Sequence, residues 1–474
     1  MGLLLQVSAS ADEGRAVAGE LVDGLVCASD AEQTYAVYLP TGYVADRPWP
    51  VMVVLDARGR GASTAERFRA GAERFGYIVA SSNGSRSDDG WEPIEAAVDA
   101  LLDDLPRRFA IDPRRYYVAG FSGTSRGATA VAYALPGQVA GVLGASGAFP
   151  RKLPPESDLS FVHFGTAGSE DFNYWEMERL DERLRALGKA HRFERFAGGH
   201  DWPPAAIVEA AFGWFEVQAM RSGLRPRDDA LVEQLRRQAL EQVAGLEAQG
   251  DRLAAFRRLR SLHEDLAGLV DAEGADQTAL ERRLIALAKH PEVREGLAEM
   301  QRVAAWEETR RREVESLFGN LGRPATAAER TQRERQIHRL QKAAADRRRQ
   351  QRADAARRTL ELIWVRTSFY YYRDFIARQN FGGAAASLSL ALEVRPQDVR
   401  TLYNLACALA RQGRRGPAFD ALERAIAAGY RDAAHLARDP DLASLRGEER
   451  YRRLLGRLSA PDEAVSAKQK SPPP

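Results

Sequence analysis

Cysteine is nearly absent from this chain: Cys27 and Cys407 are the only two in 474 residues. Thiols so far apart form neither a disulfide framework nor a cysteine-type metal cluster, and each reads as a small buried hydrophobe. No apolar run reaches the length of a membrane span. An excess of one charge is also missing. Charged residues make up 28% of the chain, yet the formal net charge is only +2, which argues against a nucleic-acid or polyanion binder. Histidine is scarce, at seven residues, and that scarcity narrows the search for a catalytic base.

What is present supports real cores. Apolar residues make up 45%, and the length predicts two or three domains. The N-terminus carries Leu3 to Val7 and an Ala9-Ser10-Ala11 triplet of the kind a signal peptidase cleaves, without a basic start or a full apolar core. Two readings of residues 1–11 stand: the remnant of a signal peptide truncated at its start, or an ordinary frayed end. The first places the protein in the periplasm or outside the cell, the second in the cytoplasm.

Residues 12–224 alternate strand and helix signals. Thr34–Pro40 alternates as a half-buried strand. Pro50–Asp56 is the continuous apolar run of a strand buried on both faces. Further strands are predicted at 76–80, 139–147, 161–165 and 191–196. Helices are predicted at 63–75, 94–109, 175–187 and 204–220. Such alternation implies a mostly parallel sheet with helices on both faces, and ligands then bind at the C-terminal strand ends.

The centre of this pattern is Tyr116–Ala128. Tyr117-Val118-Ala119-Gly120-Phe121 leads as a buried strand into Ser122-Gly123-Thr124, and a small-residue helix follows. A serine on a sharp strand-to-helix turn is a nucleophile elbow, whose motif is G-x-S-x-G. Thr124 stands where the last glycine is expected. Either the backbone opens slightly there, or the threonine hydroxyl bonds a nearby carbonyl. The plainer reading of the string is a turn with a solvated serine.

A serine hydroxyl needs a base, and the base needs an orienting acid. Three histidines lie in 12–224, and His163 and His191 fall within or at the start of strands. His200 follows Gly198-Gly199 after the last strand, where a base belongs. The loop after Gly165 holds Glu170 and Asp171. Asp171 is the better acid and Glu170 the alternative; the plainer role for Asp171 is to cap the helix that follows. An oxyanion hole needs two backbone amides. Gly123 supplies one candidate, and Arg58 or Ala57 the other. Trp91, Phe149, Phe172, Tyr174 and Trp202 are aromatic candidates for the pocket wall, each equally suited to core or rim packing.

Residues 20–220 resemble the polyhydroxybutyrate-depolymerase and feruloyl-esterase-like branch of the α/β-hydrolases. The matching pieces are Tyr38-Leu39-Pro40 with Gly42-Tyr43, Leu55-Asp56 before a glycine loop, and Ile111-Asp112-Pro113 before the elbow. Gly165-Thr166 with Asp171, and Gly199-His200 with Trp202-Pro203, complete the match. The resemblance implies an α/β-hydrolase fold. It also implies ester hydrolysis through an acyl-enzyme on Ser122, Asp171 and His200, with no metal or organic cofactor and a small-molecule or oligomeric ester as substrate. Asp56-Ala57 replaces the usual His-Gly pair. Two other readings remain: a serine peptidase, since the same triad cleaves amides, or a non-catalytic scaffold.

Beyond Pro226 the strand signal stops. Residues 225–364 read as a linker of long amphipathic helices. The charged stretch 330–358 suits a solvated helix better than an anion-binding surface. Ala384, Leu388 and Ala391 recur 34 residues later as Ala418, Leu422 and Ala425. That is the period of tetratricopeptide repeats, expected over 365–458 with a capping helix. Such helix pairs bind a protein partner, self-associate or pack on their own chain. Residues 459–474 read as a disordered tail.

Overall fold

The computed structural model describes residues 16–87, 90–155, 159–269, 275–319, 321–322 and 325–459. The expected signal-peptide remnant at 1–11 and the tail from 460 onward lie outside the described residues. The chain forms two compact units, divided between Gln301 and Arg302.

The first unit is an α/β-hydrolase-like domain built on one eight-stranded sheet. Its strands are β1 (Leu21–Val26), β2 (Thr34–Tyr38), β3 (Trp49–Leu55), β4 (Ile78–Ser82), β5 (Ile111–Phe121), β6 (Val139–Ala145), β7 (Val162–Gly168) and β8 (His191–Phe196). Their spatial order is β1-β2-β4-β3-β5-β6-β7-β8. β2 runs antiparallel to both neighbours, and the strands from β4 through β3 to β8 pair in parallel. Every residue of β3 is buried, as its unbroken apolar run requires. β1 carries no clear sequence signal, because it is a bulged edge strand with Asp23 and Gly24 exposed at its middle.

Helices α1 (Gly61–Phe75), α2 (Glu92–Arg108), α3 (Gly123–Ala134), α4 (Tyr174–Ala186) and α5 (Ala205–Arg221) cover the sheet. One face packs Phe68, Phe212, Phe215 and Trp214 over Met52, Val54 and Tyr117, and the other packs Leu101, Leu105, Met177 and Leu184 over Val51, Val53 and Val118. The expected helical linker contributes its first helices to this unit: α6 (Asp229–Ala248), α7 (Arg252–Leu266) and α8 (Ala275–Lys289). The reason is apolar burial, since Val217 and Met220 of α5 share one core with Val232, Val243, Leu259 and Leu262. Asp228 and Asp251 cap α6 and α7, each accepting from the amide three residues on, of Leu231 and Ala254.

α9 (Pro291–Phe318) spans the division. The second unit continues with α10 (Ala327–Ala344), α11 (Gln350–Val365), a π-helical turn at Arg366–Tyr370, α12 (Tyr371–Ala377), α13 (Phe381–Val394), α14 (Val399–Arg411), α15 (Arg415–Ala427), α16 (Ala433–Arg438) and α17 (Glu449–Ser459). Ala384, Leu388 and Ala391 of α13 and Ala418, Leu422 and Ala425 of α15 are all buried in one core. Within this unit Glu307 is fully buried and paired to Arg358 at 2.6 Å. Among the described residues, no helix is long and apolar enough to cross a membrane.

Candidate active site

Ser122 occupies the turn between β5 and α3 with φ 58° and ψ −117°. That conformation is strained for a residue with a side chain, and it persists because the surroundings hold it. The Ser122 amide donates to the Ala145 carbonyl at 2.8 Å. A Cβ built on Gly120 would stand 2.1 Å from the Thr124 carbonyl oxygen, so only glycine lets the strand pass under the helix start. Thr124 is fully buried at the motif's fifth place. Its hydroxyl accepts from the Phe121 amide at 3.0 Å and donates toward the Leu55 and Phe121 carbonyls. The side chain thus replaces backbone partners that the sharp turn leaves open. This is the second of the two accommodations expected for a threonine there.

β7 and β8 deliver the other two groups. The loops that follow them are laced together, with Ser169 and Glu170 amides donating to the Phe196 and Gly198 carbonyls, both at 2.8 Å. His200 Nε2 lies 2.9 Å from Ser122 Oγ, and Nδ1 lies 2.9 Å from Asp171 Oδ1. With Nδ1 protonated, the imidazole donates to the carboxylate and accepts from the serine hydroxyl. Asp171 is completely buried, whereas the His200 side chain keeps 15% exposure. Of the two adjacent carboxylates, Asp171 is the one bonded to Nδ1. Asp171 Oδ1 also accepts from the Asn173 amide at 2.8 Å, so one oxygen both orients the imidazole and shapes the turn into α4. Phe121 and Phe172 hold the ring, at centroid distances of 4.7 and 4.2 Å.

Among the described residues, the amides of Gly123 and Ala57 have no hydrogen-bond acceptor. The Arg58 amide, the other candidate, is engaged: it donates to Asp56 Oδ1 at 2.9 Å. A Cβ on Gly123 would collide with Ser87 Cβ at 2.4 Å, which brings the loop after β4 against the elbow. Of the aromatic candidates, Phe149, Tyr174 and Trp202 are core residues, Phe172 lies against His200, and Trp91 is 45% exposed.

Asp56 is the site residue whose importance the sequence concealed. Its carboxylate is fully buried at the end of β3. It accepts from the Arg58 amide, from Arg60 Nε and Nη2, and from the Trp202 indole, each at 2.9 Å. Burial alone would raise its pKa; the Arg60, Trp202 and Arg58 bonds outweigh that and hold it down, to about 2. In the sequence it stood out only by its place at a strand's C-terminal end.

The other two histidines of the sheet, His163 and His191, lie outside the Asp171–His200–Ser122 relay. His191 Nε2 meets Asp181 at 3.1 Å. His163 is buried against Phe149, its Nε2 lacks a partner, and burial pushes its pKa down to about 3. Because the folded state keeps it neutral while the unfolded chain protonates near pH 6.5, its contribution is present above that pH and is lost as pH falls toward 3. His163→Phe is therefore expected to shallow the acid limb of stability by about one proton between pH 6 and 4, read from urea midpoints. An unchanged slope would refute the assignment.

As for metals, Cys407, Asp439 and Asp441 of the second unit bring ligand-type atoms within 4.8 Å of one another. Tyr403 already donates to Asp439 Oδ2 at 2.7 Å, so the cluster is accounted for as a hydrogen-bonded tie.

No family model matches the chain, and no curated protein does. Solved structures do resemble part of it. An S-formylglutathione hydrolase, FrmB, of Staphylococcus aureus is 15% identical, with a TM-score of 0.34 over 43% of this chain and 99% of its own. A ferulic acid esterase is 17% identical, with a TM-score of 0.35 over 41% of this chain and 96% of its own. A hyperthermophilic esterase from Pyrobaculum calidifontis is 12% identical, with a TM-score of 0.36 over 43% and 87%.

Proposed function

We propose that the first unit is a serine hydrolase that cleaves carboxylic esters with Ser122 as nucleophile, His200 as base and then acid, and Asp171 orienting His200. The observation that carries this reading is the unbroken relay Asp171–His200–Ser122, two hydrogen bonds of 2.9 Å, on an elbow with the backbone angles such a nucleophile needs. Ser122 Oγ bonds to the ester carbonyl carbon as its proton passes to His200 Nε2. The carbonyl oxygen becomes an oxyanion facing the Gly123 and Ala57 amides. Collapse breaks the bond to the alkoxy oxygen, which leaves with the proton from Nε2. Water then gives a proton to Nε2 and attacks the acyl carbon. The second collapse releases the acid and returns the proton to Ser122. No step calls on a metal or organic cofactor.

A fluorophosphonate probe is expected to label the folded protein at mildly alkaline pH. Absence of labelling beside a reactive control would favour the scaffold reading instead. An ester panel of varied acyl length, run beside peptide anilides, separates esterase from peptidase.

The second unit is read as tetratricopeptide-like, serving a protein partner or self-association. What supports this is that α13 begins at Phe381 and α15 at Arg415, one 34-residue repeat apart, with equivalent small and large residues buried in both.

A further inference from the structure

We propose that Asp56 is a positioning residue for ester hydrolysis, tying the amide that meets the oxyanion to the segment that carries the base. This rests on the serine-hydrolase reading above. The two segments come from opposite ends of the domain: Asp56 and Trp202 are 146 residues apart, yet the indole Nε1 donates to Asp56 Oδ2 at 2.9 Å. Trp202 follows His200 by two residues and packs on Phe68 and Phe121, with centroid distances of 5.6 and 5.8 Å. A shift of Trp202 is therefore felt directly at the imidazole.

The other carboxylate oxygen closes the loop after β3. Oδ1 accepts from the Arg58 amide and from Arg60 Nε, both at 2.9 Å. The Asp56 carbonyl accepts from Ser85 Oγ at 2.9 Å, anchoring the loop after β4 as well. By engaging the Arg58 amide, Asp56 removes one of the two candidate donors and leaves Ala57, the adjacent residue, with its amide unspent. The buried carboxylate thus decides which amide is offered and holds it in register with His200. A preorganised donor needs such support, because a displacement of a fraction of an ångström weakens its hold on the oxyanion.

A purely structural Asp56 would alter stability and leave the kinetic constants of the folded fraction alone. A positioning Asp56 lowers kcat with little change in KM, since the donor acts on the oxyanion and not on the ground-state ester. Asp56→Asn keeps the shape and one acceptor oxygen but loses the ion pair to Arg60. We expect its kcat on p-nitrophenyl butyrate to fall about 10- to 100-fold, short of the loss from deleting an oxyanion donor outright, with KM within about threefold. Trp202→Phe keeps the carboxylate and Arg60 intact and removes only the indole donor. It is expected to lower kcat about three- to tenfold, again without a matching rise in KM. The full chain is used, and active-site titration with the fluorophosphonate corrects for any unfolded fraction.

If the parent is labelled and turns over ester, while folded Asp56→Asn and Trp202→Phe keep the parent's kcat, the positioning role is refuted and the hydrolase reading stands. Should Asp56→Asn fail to fold, Trp202→Phe decides alone. If the parent neither labels nor hydrolyses ester, the hydrolase reading fails and this proposal falls with it.

Discussion

Ser122→Ala is expected to hydrolyse p-nitrophenyl esters about 10⁴-fold or more slowly than the parent, with its fold intact. Ser122 is held at φ 58° by the hydrogen bond from its backbone N–H to the Ala145 carbonyl, by Gly120 beneath it and by Thr124 beside it. None of these contacts uses the serine hydroxyl, which among the described residues hydrogen-bonds only His200. Alanine therefore leaves the elbow in place and removes the atom that forms the acyl-enzyme. A residual rate above buffer is expected, because the unspent amides can still stabilise an oxyanion formed by water attack. His200→Ala should cost a similar amount, and the double variant little more, because the two residues act as one unit. Stopped assays with purified folded protein decide the matter. Parent-like turnover by Ser122→Ala would sink the catalytic assignment outright.

The largest loss of stability in the first unit is expected from Glu216→Ala, about 3–5 kcal/mol. Glu216 lies on α5 with only 2% of its side chain exposed. Tyr77 Oη donates to its Oε1 at 2.5 Å, and the guanidinium groups of Arg115 and Arg225 pair with the same carboxylate. Burial would lower the Arg115 pKa, but Tyr77 and Glu216 outweigh it and raise it. Removing the carboxylate leaves Arg115, whose side chain is 12% exposed, as a buried cation without its partner. The same deletion strips the buried Tyr77 hydroxyl of its acceptor. Arg115 immediately precedes the buried part of β5, the strand that ends at the elbow, so partial unfolding should also lower activity. Glu216→Gln retains an acceptor for Tyr77 and should lose less. Urea midpoints followed by tryptophan fluorescence test this, and a loss below about 1 kcal/mol would show that the pairing contributes little beyond its own desolvation.

Much of the first unit was legible because its signals are short-range. Continuous apolar runs marked the buried strands, helical spacing marked α2, and glycines marked the turns that join them. β1 escaped for the converse reason: it is short, bulged and half exposed, so its pattern is no stronger than that of a loop. The extent of the first unit was also out of reach. α6 to α8 look like any amphipathic helices, and nothing in their period says which core they complete; the shared burial of Met220 with Val243 and Leu259 says it. The 34-residue period in the second unit was legible as a period, and the helices of α13 and α15 follow it.

The candidate site divides along the same line. The sequence by itself determined the order serine, carboxylate, histidine and placed each after a strand, because chain order in an alternating α/β pattern dictates which loops share an edge. It favoured Asp171 over Glu170, and it left open the Arg58 and Ala57 amides and the two accommodations of Thr124. The partners that these groups find appear only in the tertiary structure. Two of these outcomes turn on a hydrogen bond to a group far along the chain, His200 to Asp171 across 29 residues and Thr124 to Leu55 across 69; the Arg58 amide is taken by Asp56 two residues away, a carboxylate itself tied to Trp202 across 146. Local periodicity carries no information on such pairings, because burial makes an unpaired donor costly wherever its partner lies in the sequence.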